Sequence, residues 1–120
     1  AKSETDSGAL KLYPSSITYN DKAIERVNAY STNYIRFESG LQIVFMLGSN
    51  MNMNSETTFT FPVPFISAPV VTVSATNGIG SGTYATSVYG INTNSCKMSV
   101  GGSSSANSYN PRIIAIGRWK

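Results

Sequence analysis

The sequence predicts an all-β chain, an antiparallel β-sandwich of about six to seven strands. Three observations predict it. No long stretch repeats its apolar residues at helical spacing. Charged residues make up only 12% of the 120 residues, and Ser, Thr, Asn and Gly fill the gap, which suits strands with polar turns better than a helical bundle. Short runs rich in Val, Ile, Phe, Tyr and Thr recur roughly every ten residues, with turn formers between them.

Residues 1–33 read as a lead-in segment, thinner in apolar residues than the rest of the chain. Ala1 to Gly8 is polar. Ile17 to Tyr19 and Ala23 to Val27 flank Asn20-Asp21, a hairpin turn. Asn28 to Asn33 reads as a linker. The compact domain is expected over residues 34–120. Tyr34 to Phe37 is a short strand and Glu38-Ser39-Gly40 a tight connection. In Leu41 to Leu47 one face carries Leu41, Ile43, Phe45 and Leu47, the other Gln42, Val44 and Met46. Residues 48–56 (GSNMNMNSE) form a polar loop.

Residues 59–74 (FTFPVPFISAPVVTVS) organise the rest. Phe59, Phe61, Val63 and Phe65 share one face of an extended chain; Thr58, Thr60, Pro62 and Pro64 share the other. Pro62 and Pro64 cannot donate to a ladder, so the chain leaves its sheet there. The unit reads as a strand, a proline-stiffened crossing between sheets, and a second strand from Val70 to Thr76. After the loop at 77–82 come strands Thr83 to Tyr89 and Ser95 to Val100, then the polar loop at 101–111. Arg112 to Gly117 is the last strand, with Ile113 and Ala115 on one face and Ile114 and Ile116 on the other. If consecutive strands alternate direction, the long loops at 48–56, 77–82 and 101–111 gather at one end. The short connections at 38–40, 62–69 and 90–94 gather at the other.

A sandwich strand normally turns polar residues outward. Here Val44, Met46, Ile114 and Ile116 are the candidates to point out. Either loops or the lead-in segment cover them, or they form a subunit interface.

Several function classes are disfavoured. The net charge is only +3 and the nine basic residues are scattered, so no nucleic-acid partner is indicated. The longest apolar run, Ile43 to Leu47, is too short to insert in a membrane. Cys96 is the only cysteine, which precludes a disulfide within the chain; its alternation with Met98 and Val100 suggests a buried structural thiol. Histidine is absent, which removes the commonest general base and the usual zinc ligand. No cofactor and no metal site are expected. The only acids in the domain, Glu38 and Glu56, fall at opposite ends, so a carboxylate pair is not formed and no enzyme is expected.

YIRF (34–37), GLQIVF (40–45), FPVPFISAPVVTVS (61–74) and the closing IIAIGRW (113–119) resemble the C-terminal tip domain of bacteriophage tail fibres. LKLYPSSITYNDKAIERVNA (10–29) resembles the segment that leads from a fibre shaft into such a tip. The tip is also similar to the H-type lectin fold. The resemblance rests on the framework positions Phe37, Gly40, Leu41, Phe61, Pro62, Phe65, Pro69, Ala115, Gly117 and Trp119. It implies a homotrimer at the distal end of a virion's tail fibre, made in the host cytoplasm. There it would bind a bacterial surface receptor, a glycan such as lipopolysaccharide or an outer-membrane protein, for host recognition and adsorption. A structural trimerisation cap and a free H-type-like lectin are the alternatives. No binding residue transfers by motif.

The candidate receptor contacts come from the three gathered loops. Asn50, Asn52, Asn54, Asn77, Asn107 and Asn110 offer paired donors and acceptors that suit sugar hydroxyls. Tyr109 offers a flat face and a hydroxyl. Arg112 suits an acidic group. The same Asn, Ser and Gly residues also serve as turn formers.

Overall fold

The computed structural model describes residues 18–20, 22–23, 25–48, 51–76, 85–101 and 109–120. Among these, every regular element is a strand. β1 (Thr18–Tyr19) and β2 (Lys22–Ala23) form a small hairpin. Asn20 sits in its turn at φ 51°, a left-handed conformation that Asn tolerates better than most residues.

The rest of the strands build two antiparallel sheets. The five-stranded sheet has the order β3 (Val27–Tyr30), β4 (Tyr34–Phe37), β5 (Leu41–Leu47), β10 (Asn110–Arg118), β7 (Val70–Thr76). The three-stranded sheet has the order β6 (Glu56–Thr60), β9 (Ser95–Gly101), β8 (Ala85–Tyr89). The proline-stiffened segment joins β6 of the smaller sheet to β7 of the larger, so the chain changes sheets where Pro62 and Pro64 interrupt pairing. Phe61 and Phe65 turn inward from it and meet edge to face at 5.3 Å between ring centroids.

The core lies between the sheets. Val44, Ile113 and Ala115 enter it from the larger sheet, Cys96, Met98 and Val100 from the smaller. Burial raises the Cys96 thiol above its ordinary pKa, as apolar surroundings disfavour a thiolate. Gly117 is required by a close approach. A Cβ there would stand 2.9 Å from Phe65 Cδ1 and 3.1 Å from Pro69 Cβ, both on the crossing segment. The glycine therefore lets the crossing pack directly on the end of β10.

Three expectations change. The outward candidates on β5 are reversed: Val44 is fully buried and Met46 half-buried, while Phe45 and Leu47 are exposed. The reason is Gln42, the polar residue that shares a face with Val44 and Met46. It faces inward, accepting from Arg36 Nε at 2.6 Å and donating to the carbonyls of Val63 and Pro64 at 3.3 and 3.2 Å. A buried amide with its polar atoms satisfied carries little penalty, and this one holds the crossing segment. Next, Asn28 to Asn33 is not a linker throughout, since Val27–Tyr30 pairs with β4 as the edge strand of the larger sheet. The sheet thus begins before Tyr34. Last, the closing strand extends over Asn110–Arg118, with Pro111 inside it. Pro111 lacks an N–H, yet its carbonyl accepts from Gly48 N at 2.9 Å.

The chain direction matters for function. It enters the sandwich at Arg26, whose carbonyl accepts from Glu38 N at 2.8 Å. β3 then runs along the sheet edge, and β4 returns toward the 38–40 turn. The strand ends that bear the long connections, Leu47, Glu56, Thr76, Ala85, Gly101 and Asn110, lie at the opposite end from this entry.

Candidate functional site

The registers fix what meets at the loop end. In the larger sheet Leu47 pairs with Arg112, and Asn110 with Thr76. In the smaller sheet Glu56 pairs with Ser99, and Ala85 with Gly101. Both sheets therefore open their three long connections on one side. The first is tied down: Met51 and Tyr109 exchange two backbone hydrogen bonds of 2.8 and 2.7 Å, and Asn54 N donates to Val100 O at 2.7 Å. The ties link the 48–55 loop to the end of β9 and to the start of β10.

Of the candidate contacts, Asn52, Asn54, Asn110 and Arg112 are exposed at this end. Asn54 has φ 58°, so it also serves the turn, where Ser55 Oγ donates to Asn52 O at 2.6 Å. Asn50, Asn77 and Asn107 lie outside the described residues. Tyr109 is a correction. Its side chain is 0% exposed and belongs to the core, packed in one cluster with Met51, Met98 and Ile113. Its backbone ties the strand end to Met51, and its buried ring offers no face to a ligand. The bridge to Met51, far back in the chain, is what pulls it inward, and nothing local in GGSSSANSYNP signals that pairing.

Sequence reasoning missed a groove at this end. Thr32, Asn33, Phe45, Met46, Leu47 and Phe59 line it, open between the sheets and beside the β3–β4 turn. Asn33 O accepts from Phe45 N at 3.0 Å and so sets the groove's wall. The signal was the second apolar face of β5.

The outer faces of the sheets differ sharply. On the larger sheet, Tyr30, Ile35, Ile43, Ile116 and Val70 stand side by side, one from each of five strands. Phe45 and Ile114 form the next row and Leu47 begins another. Val70 is 75% and Leu47 73% exposed. On the smaller sheet the outward positions are Glu56, Thr58, Thr60, Ser95, Lys97, Ser99, Ser87 and Tyr89. There Glu56 takes a hydrogen bond from Tyr89 Oη at 2.7 Å and an ion pair from Lys97 at 3.0 Å. The Tyr89 bond first, and Lys97 after it, hold the Glu56 carboxyl below its usual pKa; the same bond raises that of Tyr89.

The entry end is closed by its own polar groups. Trp119 Nε1 donates to Phe37 O at 2.8 Å, and its ring lies 5.2 Å from the Arg36 guanidinium and 5.0 Å from Lys120 Nζ. Arg118 donates to Ser39 O at 2.6 Å. Glu38 accepts from Asn28 at 2.8 Å and from Lys120 at 3.4 Å, and these contacts, Asn28 first, lower its pKa. Glu38 and Glu56 thus sit at opposite ends. Among the described residues no group of three His, Cys, Asp or Glu could hold a metal ion.

No protein-family model matches the chain, and no curated protein sequence does. Solved structures do share its fold. It is similar to the C-terminal part of an R2 pyocin fibre of P. aeruginosa, with a TM-score of 0.62 and 19% identity over 79% of this chain and 26% of that one. An N-truncated R1-type pyocin tail fibre gives a TM-score of 0.60 and 18% identity over 78% of this chain and 85% of that one. A longer C-terminal piece of the R1 pyocin fibre of P. aeruginosa gives 0.60 and 18% over 78% of this chain and 28% of that one. The chain spans about a quarter of the length of the first of these.

Proposed function

We propose that this chain is the receptor-binding tip of a bacteriophage-type tail fibre. In this reading it assembles as a homotrimer through the outer face of the larger sheet. It binds a bacterial surface receptor, a glycan or an outer-membrane protein, at the loop end. Its place is the distal tail fibre of a virion. The work is binding, with no covalent step.

One observation carries the reading: the chain enters at Arg26, and the gathered loops lie at the other end of the sandwich. A shaft that leads in at the 38–40 turn would point the loops away from the particle. The shared fold with pyocin fibre domains supports the same role. The row of apolar side chains across five strands supports assembly, because exposed patches of that extent mark interfaces. The lectin-like reading rests on the exposed Asn side chains at the loop end, which suit sugar hydroxyls.

The test is to label the purified protein and stain a panel of bacterial strains, with light scattering on the same sample. The expected mass is three times the 12.9 kDa chain, with bright staining of a subset of strains. A trimer that stains no strain more than an unrelated trimeric protein does would overturn the receptor reading.

A further inference from the structure

We propose that Arg112, Ser74 and their neighbours form a site for the carboxylate or phosphate of an acidic saccharide, a proposal that rests on the receptor-binding role. The observation is a gradient along the central pair of strands. From the entry end to the loop end the outward pairs of β7 and β10 are Val70–Ile116, Thr72–Ile114, Ser74–Arg112 and Thr76–Asn110. Directly paired side chains on one face stand close enough to meet the same ligand. The surface changes over these four pairs from apolar, through mixed, to wholly polar. All eight side chains are exposed.

The charge at this corner is unbalanced. Arg112 has no carboxylate partner among the described residues, whose ion pairs are Lys97–Glu56 and Lys120–Glu38. Glu56 is engaged by Tyr89 and Lys97 on the other sheet. Glu25 and Glu38 serve the entry end, where Glu25 accepts from Ser39 N at 3.1 Å. The corner is not a bare cation either. Thr76 Oγ1 donates to Asn110 O at 3.2 Å, which fixes the edge of the patch. Ser74 is the residue that β7 pairs with Arg112, on the same face.

A guanidinium offers a planar fork that matches the two oxygens of a carboxylate or phosphate. A neighbouring hydroxyl can donate to the third acceptor site or to a sugar hydroxyl. On β7 and β10 the apolar rows end where Arg112 begins, while Leu47 of β5 stands beside it on the other side. An unpaired guanidinium buried under a second copy would be strongly unfavourable. Along β7 and β10 the covered area therefore stops short of Arg112, and assembly leaves the Ser74–Arg112 corner at the rim of the interface. An anionic group on a glycan fits there, and a neutral one leaves the fork unused.

The experiment measures binding of the intact protein at low salt to three polymers: polygalacturonate, a phosphorylated mannan, and neutral dextran. Wild type should bind one or both anionic polymers and not dextran. The polymer bound identifies carboxylate or phosphate as the source. Arg112→Gln should weaken that binding by about tenfold, the loss of one charge-assisted pair. Lys97→Gln makes the same change in charge on the opposite sheet and should leave binding within about twofold, as an exposed pair contributes little. Arg112→Lys should keep part of the affinity, since a point charge replaces the fork. Equal losses in Arg112→Gln and Lys97→Gln would mean attraction by net charge alone, and would overturn the site. No preference of wild type for either anionic polymer over dextran would overturn it too. Protein that stains cells yet fails on the polymers keeps its receptor role and loses this site. Protein that passes on the polymers but stains no strain keeps the site and loses the role.

Discussion

The two outer faces are built by the same alternation and carry opposite chemistry. β6, β8 and β9 turn hydroxyls, Glu56 and Lys97 to water. β3, β4, β5 and β10 turn out Tyr30, Ile35, Ile43, Phe45, Ile114 and Ile116 in continuous rows. A single chain in water has no use for the second arrangement, which leaves apolar area uncovered at roughly 25 cal/mol per Å². In the proposed assembly the smaller sheet is the solvent side of the molecule, and the larger is the one that is covered.

Matched substitutions set the faces against each other. Ile116→Asp places a carboxylate in the middle of the row that crosses all five strands. If the face is covered by further copies, each copy carries a cost of several kcal/mol, and light scattering should show monomer. Thr58→Asp, opposite Lys97, makes a comparable change on the smaller sheet. It should leave the mass unchanged and shift the melting temperature by a few degrees at most. Equal effects of the two would erase the distinction between the faces.

Phe61→Ala attacks what the faces share. Phe61 is buried against Phe65 between the sheets, and truncating a buried Phe typically costs about 3–5 kcal/mol. Thermal unfolding should move far down for the whole domain, and assembly should fail with it. A melt within a few degrees of the parent would place Phe61 outside the core.

Acid separates polar from apolar contacts with a smaller effect. Glu25, Glu38 and Glu56 all have pKa values lowered from the ordinary carboxylate value in the folded state, Glu25 by hydrogen bonds led by Ser39, Glu38 and Glu56 by hydrogen bonds led by Asn28 and Tyr89 and then by neighbouring cations. A depressed carboxyl contributes stability that is present above its unfolded pKa and lost as pH falls through the folded one. The melting temperature should therefore be flat above about pH 5 and fall below it. Two of these groups close the entry end and one lies on the polar sheet, so the mass of the proposed trimer should persist into that range. Dissociation before the melt shifts would show that polar contacts, not the apolar rows, hold the copies together.

The sequence was legible where its information is local. The alternation in β6 and β10, the proline crossing and the gathering of the loops all come from neighbours in the chain, and the registers agree. β5 was ambiguous because both its faces are apolar, and period two cannot orient such a strand. Its direction is set by Gln42 bonding to Arg36 and to the carbonyls of Val63 and Pro64, the latter more than twenty residues away. β3 (VNAY) looked like a linker because its strand character comes only from pairing with β4. Tyr109 looked like a contact residue because its surroundings in sequence are polar, while its place in the core comes with partners distant in the chain, Met51 among them. For β5 and Tyr109 the miss is a long-range partner, whereas β3 pairs with its neighbour in the chain and only its polar composition conceals it.

The most direct test of the proposed role asks which end touches the cell. Residues 78–83 and 102–107 would be replaced by Gly-Ser of equal length, leaving the strands and the apolar rows intact. Trimer mass and melting temperature would be checked first, then adsorption to a strain that the parent stains. Loss of adsorption by the intact trimer is the predicted result, because the loop end faces away from the chain's entry. Adsorption at the parent's level, with both loops exchanged, would contradict it.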